Sequence, residues 1–267
     1  MAAALVSRDT VPKTDSWDRY LSQYLTTGAG AHDFLDVVAR TLQVTRELVD
    51  DLAIQDYCGR VSGKVSLIRD AFAIQEFLEA VFDLKGHVSD LTDALDRPES
   101  DPGREIEVAL AIKNLTKNGL GLGCSGSDMM MFLDQAKIVP LSPDIAQTFE
   151  GIFWITLGVL SGWDLIDQVS ESDRCHAKSQ QAHDPLARDY YAKRGEVANI
   201  RLIKDVTAVA MAALSLVSLL FTTLTFYSAA MLALSCVYVI LKVASYFYQR
   251  TIDDQEKLLR HAFQGKF

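Results

Sequence analysis

Between Asp205 and Lys242 the chain carries 36 consecutive uncharged residues, positions 206–241. A membrane-spanning helix needs about 20 apolar residues to cross a hydrocarbon core of about 30 Å. The run is too long for one span and suits two, with the reversal expected in TTLTFYS, residues 222–228. A packed soluble helix normally keeps a charged, wet face. The alternative to a membrane hairpin is therefore a hairpin buried whole in a protein core. Ala208 and Ala212 form a small-xxx-small step that lets two helices approach closely. Tyr246, Phe247 and Tyr248 stand where an aromatic belt would sit, and Lys242 is near enough to the end of the run to snorkel. Arg201 and Lys204 before the run, with Lys242 and Arg250 at or after its end, predict that both flanks are cytosolic.

The rest of the chain is polar enough to stand in water. Of 267 residues, 49% are hydrophobic and 23% charged, which excludes both a disordered chain and one that is membrane throughout. The net charge is −9, and residues 1–96 hold 16 acidic against 9 basic side chains. That balance argues against nucleic acid as a partner, and it reads as a well-solvated helical surface. Cys58, Cys124, Cys175 and Cys236 are scattered, with no C-x-x-C, so a reducing compartment is expected rather than a disulfide framework. The first residues lack a basic stretch followed by an apolar core, so no cleaved secretory signal is expected.

No segment alternates with a period of two, and apolar residues recur with helical spacing throughout, so the expected fold class is all-α. It is a helical bundle region followed by a C-terminal transmembrane helical hairpin. Helices are expected at 16–25, capped by Asp15 or Ser16, then at 32–54, 60–83 and 87–96. After a linker at 97–103 helix resumes at 104–118. It is expected to break at GLGLGCSG and to restart as a short helix capped by Ser127. The organisation is thus an acidic helical region (1–96), a second helical region (104–166), a polar connector (167–202), the hairpin (203–248) and a charged tail (249–267). Within the second region GIFWITLGVLSGW, residues 151–163, is short of a span and predicts a buried or interfacial helix.

Nothing in the chain identifies a reaction. G-x-G-x-x-G occurs at Gly121, Gly123 and Gly126, but a helical segment precedes it where a dinucleotide fold needs a strand. Cys175, His176 and His183 lack metal-ligand spacing. The pairs Asp50–Asp51 and Asp253–Asp254 point about 100° apart on a helix and cannot face each other across a cleft. No catalytic residue, metal ligand or cofactor is expected, and the protein is expected not to be an enzyme. The one site-like feature is the stripe Trp17, Tyr20, Leu21, Tyr24 and Leu25. It suits a helix lying in a membrane interface or in a partner's groove, or else ordinary packing in a bundle.

The order of these parts resembles the peroxin-11 family of peroxisome-elongation proteins. The resemblance is carried by YLSQYLTTGAGAHDFLDVVARTL, by MMMFLDQAKIVPLSPDIAQTFEGIFWITLGVLSGWDLIDQ and by NIRLIKDVTAVAMAALSLVSLLF, and it spans most of the chain. It implies an amphipathic helix that loads one leaflet, self-association into oligomers, and residence in the peroxisomal membrane with both termini cytosolic. Self-association through Ala208 and Ala212 is the matching expectation at the level of residues. The apolar hairpin also resembles that of chlamydial inclusion-membrane proteins. That likeness implies helices 32–96 recruiting a cytosolic protein partner from an inclusion membrane.

Overall fold

The computed structural model describes residues 17–99, 101–220 and 227–262. The chain is all-α: seven helices and no strand occur among the described residues. They are α1 (Trp17–Leu25), α2 (Gly28–Leu48), α3 (Leu52–Leu95), α4 (Arg104–Gln135), α5 (Pro143–Gln181), α6 (Pro185–Leu220) and α7 (Tyr227–Ala262). The expected caps Asp15 and Ser16, and all of the expected hairpin reversal except Tyr227 and Ser228, lie outside the described residues.

The boundaries follow local chemistry. Thr27 caps α2, its Oγ1 accepting from the Gly30 amide at 2.9 Å. Asp51 caps α3 by accepting from Ala53 N at 2.8 Å and Ile54 N at 3.3 Å. The α2–α3 break therefore falls at residues 49–51, and not after Ile54 as the periodicity predicts. Asp184 accepts from Leu186 N at 2.7 Å, with Pro185 opening α6 where its missing N–H is not needed. Lys137, at φ 57°, ends α4 in the left-handed conformation.

Two expected interruptions are absent. The segments 60–83 and 87–96 are one 44-residue helix, about 66 Å long. GLGLGCSG does not break α4, and Ser127 is a buried residue inside that helix rather than a cap. The physical reason is packing. A Cβ on Gly123 would lie 2.9 Å from Thr156 Cγ2 of α5, and one on Gly126 would lie 3.3 Å from Phe77 of α3. These glycines let α4 lie close to both neighbours, which offsets their poor helix propensity.

Each helix packs on its neighbours in the chain, and α7 returns to α2. Paired residues run in opposite directions at every seam: Ala39 with Ser62, Asn118 with Ala80, Lys113 with Asp167, Ser172 with Asn199, Arg201 with Gln249, and Lys242 with Asp33. Helices α2–α7 thus form a closed up-and-down ring whose two chain ends emerge at the same end.

The packing is unusual in its residue types. Among the described residues no leucine is buried, and alanine is the commonest buried apolar residue, beside larger side chains such as Tyr24, Phe132, Met211 and Val239. Among the described residues a compact apolar cluster forms around Tyr190, Val197 and Ile252, in the polar halves of α6 and α7. Large aliphatic and aromatic side chains such as Phe82 (73% exposed), Ile106, Ile155 and Ile240 face outward. In a water-soluble monomer such residues form the interior. Here small residues pack helix on helix while the large ones cover the outside, as in bundles solvated by lipid.

Candidate functional site

Among the described residues three helices, α5, α6 and α7, are long and apolar enough to cross a membrane, with 18-residue windows of mean hydropathy 1.3, 1.8 and 1.8. Only 6%, 33% and 11% of those windows are buried within the chain. The C-terminal apolar run is therefore not wrapped in a core of this chain. The run at 151–163, expected to be a short buried or interfacial helix, lies inside the 39-residue α5, and Ile152, Ile155 and Val159 point outward. The polar segment 167–202 is helical, holding the end of α5 and the first half of α6.

The small-residue step lies inside the ring. Ala208 and Ala212 are 1% and 2% exposed, and Ala212 Cβ comes within 3.1 Å of where a Cβ on Gly158 of α5 would stand. Their close approach thus serves α6 within this chain and leaves no surface there for a second copy. Against α7, Ser215 Oγ lies 3.3 Å from the Tyr227 hydroxyl and donates to Met231 Sδ at 3.6 Å.

The aromatic stripe of α1 divides. Tyr20 and Tyr24 are buried, Leu21 is exposed, Leu25 is half-buried, and the Trp17 side chain lies outside the described residues. Tyr24 stacks at 4.2 Å between ring centres on Tyr246 and meets Phe247 edge-on at 5.8 Å. Tyr20 donates to Asp254, and Tyr24 donates to Asp33. Burial, then Asp33, pushes the Tyr24 hydroxyl well above the usual tyrosine range. Of the four expected interface anchors, Tyr246 and Phe247 are engaged with α1, Lys242 forms an ion pair with Asp33 at 2.5 Å, and Tyr248 alone faces outward. Lys242 accordingly points into the α2–α7 seam instead of snorkelling. Burial alone would raise the Asp33 carboxyl, but His32 and Lys242 together hold it below its ordinary value.

The seam continues into a layer of charge that composition alone assigns to solvent. Asp33, Asp36 and Asp70 are buried. Arg69 bridges them, its Nη1 on Asp36 at 2.5 Å and its Nε on Asp70 at 2.6 Å. His32 sits 3.9 Å from Glu76. On α4, Asp128 is pushed up to about 6 by burial and by Asp70 and Glu76, against the opposing pull of Arg69 and His32. Burial and Asp128 push the Cys124 thiol up to about 12, so it is an inert thiol. The spacing of Asp33, Asp36 and Arg40 (i, i+3, i+7) places them on one helix face, and that was the available signal for this layer.

A cleft of about 550 Å³ opens where the polar halves of α4–α7 meet, lined by Lys113, Arg174, Arg194, Arg201 and three carboxylates among others. Elsewhere, the G-x-G-x-x-G glycines lie within α4, with no strand before them among the described residues. Cys175 is buried, and His176 pairs with Gln180 on α5. Asp51 is a helix cap, while Asp253 and Asp254 hold Gln249 and Tyr20.

These features define an all-α ring with small residues and charges inside and large apolar side chains outside, including three helices able to cross a bilayer. Comparison with protein-family models, curated proteins and solved structures gave no match to this chain.

Proposed function

We propose that this is a non-enzymatic integral membrane protein that shapes or organises an organelle membrane, of the peroxisome-elongation type that its sequence resembles. The observation that carries the membrane part is the outward exposure of the apolar windows of α5–α7. Burying those side chains in lipid yields about 25 cal/mol per Å², a free energy that solvent exposure forgoes. The start of α2 and the end of α7 lie at one end of the ring, which supports placing both on one side of the membrane, the cytosolic side by the basic residues that flank the uncharged run. In this reading α5–α7 provide the embedded face, and the polar halves of α6 and α7 project into the cytosol. Leu21 and the neighbouring exposed side chains of α1 and α2 add wedge area to one leaflet. Self-association in this reading uses the outward faces, since Ala208 and Ala212 are already occupied.

The experiment is alkaline-carbonate extraction of membranes from cells expressing the full chain, beside a version ending at Pro140, before α5 begins. The full chain is expected in the pellet and the truncation in the supernatant; a full-length protein that washes out overturns the reading. Peroxisome number and length in the same cells test the shaping role, with elongation expected on overexpression.

A second reading draws on the outer face of α3. Leu52, Tyr57, Ile68 and Phe82 are exposed on a helix outside the three apolar ones. That suits an inclusion-membrane protein recruiting a cytosolic partner. Co-purification of one specific protein, lost when Tyr57 and Phe82 become serine, would favour it.

A further inference from the structure

The cleft at the polar end of α4–α7 is lined by side chains that suit a ligand with both an anionic group and hydrogen-bond donors. Lys113, Arg174, Arg194 and Arg201 face Asp167, Glu171 and Glu256 across about 550 Å³, within the volume range of small-ligand sites. Each carboxylate already holds a partner, and its remaining lone pairs leave it able to accept further hydroxyls. Asp167 takes Lys113 at 2.7 Å and Lys117 at 2.6 Å, Glu171 takes Arg194 at 2.6 Å, and Glu256 accepts from the Tyr190 hydroxyl at 3.3 Å. Arg201 differs: among the described residues its guanidinium has no ion pair, only a bond from Nη2 to Gln249 Oε1 at 3.2 Å. Arg174 is largely exposed and reaches Glu171 only at 3.6 Å. Two guanidiniums thus keep donors for an incoming anion, and planar forks of this kind match phosphate oxygens.

The place of the cleft adds to its chemistry. Arg201 stands five residues before the uncharged run begins, and Gln249 and Ile252 lie on α7 beyond the far end of that run. Asp167 and Gln168 follow the apolar stretch of α5. All three apolar helices therefore leave their apolar windows at the level of this cleft, at the end of the ring where both chain ends emerge. If α5–α7 lie in a bilayer, that level is the headgroup layer, where basic pockets between helices take up phospholipid headgroups.

We propose that this cleft binds a polyol phosphate ester, its phosphate held by Arg201 and Arg174 and its hydroxyls donating to Glu171 and Glu256. The same chemistry is offered by the headgroup of an inositol or glycerol phospholipid and by the free polyol phosphate. Its presentation as a lipid rests on the membrane reading above; the site itself does not.

The test is calorimetric titration of the full chain in neutral detergent with three probes: dioctanoyl phosphatidylinositol, water-soluble inositol 1-phosphate, and dioctanoyl phosphatidylcholine, which has no hydroxyl donors in its headgroup. Phosphatidylinositol is expected to bind and phosphatidylcholine to bind far more weakly. Arg201→Gln and, separately, the exposed Arg174→Gln should each weaken binding by about tenfold, as for loss of one charge-assisted contact. Arg201→Lys should restore part of it, and Arg60→Gln on α3 should change nothing. Binding of both phosphate probes, or of either one alone, supports the site and identifies its source. Equal affinity for phosphatidylcholine, affinity unchanged in both arginine variants, or no binding by any probe overturns it. A chain that washes out of membranes in carbonate yet binds inositol 1-phosphate through Arg201 would retain the cleft and discard the membrane reading.

Discussion

At the scale of single residues, the ion pair between Lys242 and Asp33 and the Tyr24 hydroxyl on the same carboxylate hold α1, α2 and α7 together. Lys242→Met leaves a buried aspartate without its cation and should lower stability in detergent by about 2 kcal/mol, read by thermal unfolding. Asp33→Asn in the same chain should recover part of that loss, because the charge stranded by the first change is gone. Asp128 gives a pH signature of the opposite kind. Its folded pKa of about 6 lies above the ordinary value of 3.8, so the folded state binds the extra proton between those values. Its contribution is therefore fully present below about pH 4, falls as pH rises towards 6, and stays lost above that. Asp128→Asn should stabilise the protein at pH 7.5 by about 1–3 kcal/mol and have little effect at pH 4, with melting temperatures at the two pH values as the readout. Neither site stands out from net charge alone. An acidic surplus in residues 1–96 looks like solvated surface, and only its distribution around each helix shows that Asp33, Asp36 and Asp70 turn inward. The tyrosines were easier to find, because Tyr20 and Tyr24 fall on one stripe whose partner, α7, lies more than 200 residues away and cannot be named from spacing.

At the scale of elements, α4 shows why propensity misjudged the glycine run. Gly119 and Gly121 have nothing within 4 Å of a built Cβ, while Gly123 meets Thr156. Gly121→Ala should therefore stabilise the helix by about 0.5–1 kcal/mol. Gly123→Ala should destabilise the chain by forcing α4 away from α5, and Thr156→Ser in the same chain should relieve the clash. Thermal unfolding of the three variants separates a glycine that serves packing from one that only costs entropy. The helix end supplies the converse case. Lys137 adopts φ 57° at the C-terminus of α4, a conformation glycine takes without strain, so Lys137→Gly should raise stability by about 1 kcal/mol. Most elements could be located from the 3.6-residue period, and the linker at 97–103 does separate α3 from α4. The false breaks came from places where local signals weaken, such as His87 and the glycine run, and where neighbouring helices determine the outcome.

At the scale of the whole molecule, the all-α class and the apolar C-terminal pair were readable because a 36-residue uncharged run admits few folds. The ring was not readable, since its closure depends on α2 meeting α7. Protection should be uneven around it. The α5–α6 interface is the most extensive in the molecule and α1 holds the least, so hydrogen exchange in detergent should open α1 first and the facing sides of α5 and α6 last. The seams also differ in when they can exist. Around the ring of α2–α7 every seam but one joins helices adjacent in the chain, so each can form as soon as its second helix has been synthesised. The seam between Asp33 and Lys242 joins residues more than 200 apart in sequence and cannot form until α7 has been synthesised. Until α7 has been made, α2 rests on its chain neighbours with its acidic face unmatched by lysine, and only then can the molecule close on itself.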